Sequence, residues 1–427
     1  MNVFNLENFL NNIFESKQIK KLENNNYLFV MITLLSLFFT FSFSDDLENN
    51  QALGTHTISI FIPFFFYSIF LLFEKSFHFF KFLIFLLISM LPLYDHLFNE
   101  IFHLEGDDST FYTLSAQYMI DNVTLRSNYS DEALIDLQPG ISYLLAIEML
   151  IFGGQNRIMQ IFNISIFFVA IYYLLHQIKD KNNFHRLILL LVILIIPYSV
   201  KNILYTYSEW FAVLLFLLSI ISFNSNKIIL ASILIALTPF VRQNLLLVSC
   251  LIFFTYLIII NKNLNLIKCF VYILIFLGIL MLPVYLNLYY AGELVFFAKQ
   301  KPYNIEAAKS LLDLINPIFI FNYFNDYLNL IFLQFERLFL LDGRKLTNVI
   351  ISLFVPILFI ISVLNFFIIK NNLLKVMYIL VFTSAFAPTI LLGSLAPPRF
   401  EYVNLCFIYF YFVLININEK ISEKINL

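Results

Sequence analysis

The sequence predicts an all-α, polytopic integral membrane protein: a bundle of about twelve transmembrane helices, with further helices lying along its outer face. Three observations carry that expectation. Apolar residues make up 60% of the 427 residues and charged residues 13%, about half the charged share of a water-facing globular chain. Apolar runs of roughly 20 residues, the length that crosses the hydrocarbon core of a bilayer, recur throughout the chain. Lys and Arg are concentrated in alternate loops, as the positive-inside rule requires.

The expected spans are Tyr27–Phe43, Thr57–Phe73, Phe82–Phe98, Ile158–His176, Leu187–Val200 and Trp210–Phe223, followed by Ile228–Val241, Leu245–Ile260, Leu266–Leu288, Val349–Ile369, Val376–Gly393 and Tyr402–Ile417. The shorter ones need flanking Tyr, Lys and Asn, or local thinning of the bilayer, to complete a crossing. The opening stretch 1–26 lacks the short apolar core and small-residue cleavage site of a secretory signal, so the first apolar run is expected to remain as a helix.

One set of loops carries Lys20, Lys75, Lys179, Lys227, Lys262, Lys370 and Lys420, whereas the opposite set begins with Asp45, Asp46 and Glu48. Both termini are therefore expected on the cytoplasmic side. Residues 103–157, with their interfacial helices, and the loop 289–346 are expected on the outer side of a single transmembrane domain spanning 1–427, with no separate soluble domain. Orientation holds only if Gly140–Phe152, a short apolar segment interrupted by Glu148, does not cross. Such a segment suits a helix lying along the interface. Pro317–Leu341, broken by Asn322, Asp326, Glu336 and Arg337, reads the same way.

Some chemistry is excluded at this level. A net charge of −2 provides no basic footprint for nucleic acid. Cys250, Cys269 and Cys406 lie in separate apolar stretches without metal or disulfide spacing. His56, His78, His96, His103, His176 and His185 lack helical neighbours of their kind, which argues against zinc. No cofactor is implied, and the sequence does not support a divalent metal.

The outer stretch after the third span holds the chemistry. Asp107 and Asp108 open a helical pattern in which Asp108, Tyr112 and Ala116 share a face at i, i+4, i+8. Acids there cap free N–H groups and complement the helix dipole. Equally, a carboxylate at a membrane surface can serve as general base toward an acceptor hydroxyl. Two further charges have ordinary readings of their own: Arg242 can snorkel to the interface beside Gln243 and Asn244, and Arg399 can pair with Glu401. Glu209, after Tyr205 and Tyr207, reads as an acid in interfacial water with a possible site role.

The order of these features resembles the GT-C superfamily of membrane glycosyltransferases, which use polyprenyl-phosphate-linked sugars and include protein O-mannosyltransferases and lipid A aminoarabinose transferases. The resemblance rests on Asp107-Asp108, Tyr112 and Ala116, then Pro139, an apolar helix ending in Phe152-Gly153, and Arg157. Thr238-Pro-Phe-Val-Arg242 and the late Arg399 continue it. It covers residues 100–245 best. It implies Asp108, with Asp107 beside it, as catalytic base, and Arg242, Arg399 and Arg157 as partners of the lipid phosphate; Tyr112, on the Asp108 face, and Glu209 are further candidate substrate-binding residues. The implied partners are a polyprenyl-phosphate-linked sugar, a lipid or glycan acceptor, and a bacterial inner membrane whose outer face carries the active site. Two other classes compete: a polysaccharide polymerase or ligase, for which Lys299, Lys301, Arg337, Arg344 and Lys345 speak, and a flippase, which calls for Gly- or Pro-broken helices in related halves.

Overall fold

The computed structural model describes residues 30–31, 34, 80, 83–84, 108–126, 139–177, 203, 207–260, 266–294, 358–391 and 406–415. Among the described residues every regular element is helical, and none is a strand. The elements are α1 (Asp108–Asp121), α2 (Pro139–Phe152), α3 (Asn156–Gln177), α4 (Ser208–Asn224) and α5 (Ile228–Val241). After a 3-10 turn at Gln243–Leu245 come α6 (Leu246–Ile260), α7 (Leu266–Leu280) and α8 (Leu282–Ala291). The last three are α9 (Leu358–Ile368), α10 (Asn372–Leu391) and α11 (Cys406–Ile415).

The chain divides into two compact units. One comprises Met1–Ile101, Gln155–Leu204 and Gly343–Ile351; the other comprises Phe102–Gly154, Tyr205–Asp342 and Ser352–Leu427. Of the labelled helices the first unit contains α3, in which Asn156–Leu174 is long and apolar enough to cross a membrane. All the others belong to the second unit.

In the second unit α4 and α5 form an antiparallel hairpin. Asn226 closes it at φ 58°, a left-handed position that Asn tolerates. There Lys227 N–H donates to Ser222 O at 2.8 Å and Asn226 N–H to Phe223 O at 3.0 Å, the bonding that caps a helix C-terminus. Aromatic stacking then fixes the neighbours. Phe216 of α4 stacks on Phe407 of α11 with centroids 4.1 Å apart, and Phe223 stacks on Tyr256 of α6 at 4.3 Å. Phe253 of α6 stacks on Phe276 of α7 at 4.0 Å. Buried hydroxyls add a second layer: Ser219 bonds Tyr256 at 2.6 Å, Thr255 bonds Tyr411 at 2.7 Å, and Tyr378 donates to Ser362 O at 2.6 Å. Because each helix runs away from these contacts to its own turn, Lys227 and Lys370 fall at one end of this unit. The N-terminus of α4 and the C-terminus of α5 fall at the other.

The sequence places one span over 266–288, and the structure divides it. α7 and α8 meet at 41°. Pro283, in the first turn of α8, has no N–H to give and its ring crowds the preceding turn, so the helix must break. Together these two count as one further segment able to cross a membrane; among the described residues the other apolar stretches, including 372–385 of α10, run 10–17 residues. The predicted spans 27–43, 57–73, 82–98 and 187–200 lie almost wholly outside the described residues, as do 317–341 and nearly all of the loop 289–346.

Candidate functional site

At the end of the second unit away from Lys227, α4 begins and α5 stops. Pro239 deprives the last turn of α5 of one N–H. The backbone leaves the helix at Arg242, which is extended at φ −139° and ψ 98°. Its own N–H still donates to Thr238 O at 2.9 Å, and Leu245 N–H donates to Arg242 O at 3.0 Å to form the following turn. The side chain is thereby committed to the junction between two antiparallel helices.

There it meets the first turn of α4. Arg242 Nη2 lies 3.2 Å from Glu209 Oε1, and Nη1 donates to Ser208 Oγ at 3.3 Å. Arg242 is 2% exposed and Glu209 1%. Burial goes against the ordinary reading of each: Arg242 does not snorkel into solvent and Glu209 does not end in water. Desolvating two charges is costly, so each needs the other, and removing one from a buried pair costs about 3–5 kcal/mol. Glu209 also benefits from lying in the positive first turn of α4.

α2 packs against this corner. Gly140 approaches so closely that a Cβ there would stand 2.7 Å from Val241 Cγ2 and 3.0 Å from Val241 Cα. One turn on, the Tyr143 ring stacks on Phe240 with centroids 5.4 Å apart and planes 4° from parallel. The Tyr143 hydroxyl donates to Leu125 O in the segment after α1. Burial, and after it the nearby Tyr290 hydroxyl, raise the Tyr143 pKa above the usual phenol value, so it remains a donor at any physiological pH.

α1 lies along the other side of α2, burying Tyr112 and Ala116 at 2% and 0% exposure. Asp108 is the first residue of that helix, one turn before Tyr112 on the same register. The structure therefore puts Asp108, Tyr112, Glu209 and Arg242 in one compact unit and joins the last two directly. Arg157 belongs to α3 in the other unit. Asp107 and Arg399 lie outside the described residues.

Glu148 of α2 was not among the candidate residues, yet it is 1% exposed. With Glu209 and Arg242 it completes the fully buried charged side chains among the described residues. The signal was present in the sequence, since a carboxylate inside a short apolar helix has to be accommodated by something. Among the described residues no group of three His, Cys, Asp or Glu side chains is placed to hold a metal ion.

Compared with known proteins, the chain matches no family model, no curated protein and no solved structure.

Proposed function

We propose that the chain is a membrane glycosyltransferase of the GT-C type, moving a sugar from a polyprenyl-phosphate carrier to a lipid or glycan acceptor at the outer face of a bacterial inner membrane. In the transfer the acceptor oxygen bonds to the anomeric carbon as the carbon–oxygen bond to phosphate breaks. Asp108 takes the hydroxyl proton, and the carrier leaves as polyprenyl phosphate. Arg242 balances the negative charge that grows on the leaving phosphate, and the resemblance adds Arg399 and Arg157 as further candidate partners of that phosphate. Tyr112, Asp107 and Glu209 shape the same site.

One observation supports this most. The guanidinium of Arg242 is buried and oriented by Glu209 and Ser208, in the same unit as the helix that Asp108 opens. A guanidinium held in a low-dielectric corner is preorganised for an anion that arrives there. A membrane setting is supported by α7, where Leu266, Phe270, Leu274 and Leu277 form one stripe at 46–83% exposure; about twelve spans and cytoplasmic termini rest on the apolar runs and loop charges of the sequence. Apolar area of that extent suits lipid rather than water.

The test is transfer by purified protein from a polyprenyl-phosphate sugar, with envelope glycans and lipids compared by mass spectrometry in cells with and without the gene. Asp108→Asn should lower turnover by about 10²-fold or more with donor binding retained. Full activity in both Asp108→Asn and Asp107→Asn would show that these acids merely cap α1.

A lipid-linked sugar flippase is the second reading, favoured by the 41° break at Pro283. Vesicles distinguish the two: a flippase moves the intact donor across without consuming it.

A further inference from the structure

We propose that Tyr143 and Tyr290 are positioning residues that clasp the backbone of Leu125 from two sides and thereby set the register of α1 against the corner holding Arg242. The Tyr143 hydroxyl donates to Leu125 O, and Leu125 N–H donates to the Tyr290 hydroxyl at 3.2 Å. Both polar groups of one peptide-chain residue are thus held by side chains from two other helices, α2 and α8. Leu125 itself is 53% exposed, so burial of its side chain does not hold it in place.

A strained turn beside the clasp points the same way. α1 ends with Thr124 N–H donating to Met119 O at 3.0 Å and Val123 N–H to Ile120 O at 3.3 Å. That cap requires a left-handed residue at 123, ordinarily Gly. Here it is Val123, at φ 50° and 93% exposed. A β-branched residue adopts this conformation only when its surroundings impose it. Among the described residues, the two tyrosines reach this turn from other helices.

The clasp is tied to the Arg242 corner by the same tyrosine, whose ring stacks on Phe240. The Pro283 bend belongs to the same device, because it sets the direction of α8, which carries Tyr290 near its end. α1 is a rigid rod of roughly 20 Å at 1.5 Å per residue, so a pivot of about 3° at its end moves Asp108 by about 1 Å. A shift of that size near reacting groups can cost about 10²-fold in rate. Positioning of Asp108 is the part of the inference that rests on the proposed transferase activity; the clasp itself does not.

The experiment is hydrogen–deuterium exchange on the full-length protein in lipid nanodiscs, followed over 119–126, for wild type, Tyr143→Phe, Tyr290→Phe and the double variant. Each phenylalanine keeps the ring and deletes one hydroxyl. The Leu125 amide should be protected in wild type, exchange at least tenfold faster in Tyr290→Phe, and lose protection in the double variant. Amides of α5 should stay protected throughout, because the Phe240 stack survives. An unprotected Leu125 amide in wild type, or unchanged protection in the double variant, overturns the clasp whatever the protein's activity. Transfer assays then read the positioning role. The double variant should lose about tenfold or more in kcat with little change in the donor KM, and an unchanged kcat despite a loosened turn removes the link to Asp108. Absence of transfer in wild type, with exchange behaving as stated, instead overturns the transferase proposal and leaves the clasp standing.

Discussion

Arg242 and Glu209 form a buried ion pair, Nη2 to Oε1 at 3.2 Å, that closes the open end of the α4–α5 hairpin. Either residue without the other leaves a desolvated charge. Glu209→Met and Arg242→Met should therefore each destabilise the protein by about 3–5 kcal/mol, while the double variant should be markedly more stable than either single one. Thermal unfolding of the four proteins in one detergent measures the coupling. Additive losses would mean the two side chains do not depend on each other.

Gly140 sets how closely α2 can lie on Val241. Alanine would ordinarily favour a helix by about 1 kcal/mol over glycine. Here its Cβ would meet Val241 Cα at 3.0 Å and Cγ2 at 2.7 Å, and a backbone atom at the end of α5 cannot rotate away. Overpacking of this kind costs about 1–3 kcal/mol, so the clash outweighs the propensity gain. Gly140→Ala should lower the unfolding temperature. A raised one would show that α2 is loosely seated.

Val123→Gly has the opposite sign. It relieves a β-branched residue of a left-handed conformation worth about 1–2 kcal/mol of strain, and part of that gain is lost to the greater freedom of glycine in the unfolded chain. A net stabilisation of about 1 kcal/mol or less is expected, read by the same unfolding measurement. Destabilisation would mean that the valine side chain makes a contact worth more than the strain.

Much of this corner could be read from the residues, but the contacts within it could not. α5 spans Ile228–Val241 as its apolar run predicts, since Lys227 before it and Pro239 near its end mark both limits. Glu209 and Arg242 both stood out as charges beside apolar runs. Their pairing did not, although they lie nearly equal distances either side of the turn at Asn226 and an antiparallel hairpin must bring such positions together. Val123 and Gly140 gave no usable signal, because a left-handed φ and a close backbone approach depend on neighbours remote in the chain. Pro283 was visible, but whether a proline bends a helix or only punctuates it depends on what packs against the bend.

The proposed sidedness can be tested at the two ends of the second unit. Asn122, beside the clasp, and Asn372, which opens α10 next to the Lys370 turn, are both exposed. Each can be changed to Cys singly in a background lacking Cys250, Cys269 and Cys406. An impermeant maleimide should label position 122 in spheroplasts with an intact inner membrane and position 372 only after that membrane is broken. The reverse pattern would put the Arg242 corner on the cytoplasmic side and end the case for an outer-face transferase.

The ion pair also makes the proposed phosphate role of Arg242 measurable without catalysis. In that role an incoming phosphate would compete with Glu209 for the guanidinium of the wild type. Glu209→Gln removes the competitor and leaves a buried positive charge, so the fold loses stability while the corner gains affinity for an anion. Ligand that binds the folded state raises its stability by RT ln(1 + [L]/Kd), so polyprenyl phosphate should raise the unfolding temperature of Glu209→Gln more than that of the wild type at equal concentration. Arg242→Lys keeps the charge but loses the two-pronged geometry, and should respond to the ligand least of the three. The neutral polyprenol separates phosphate recognition from lipid binding, because it should stabilise all three proteins alike. Equal responses to polyprenyl phosphate across the three would place the phosphate away from Arg242, and the cations Arg344 and Lys345 would be the next residues to substitute.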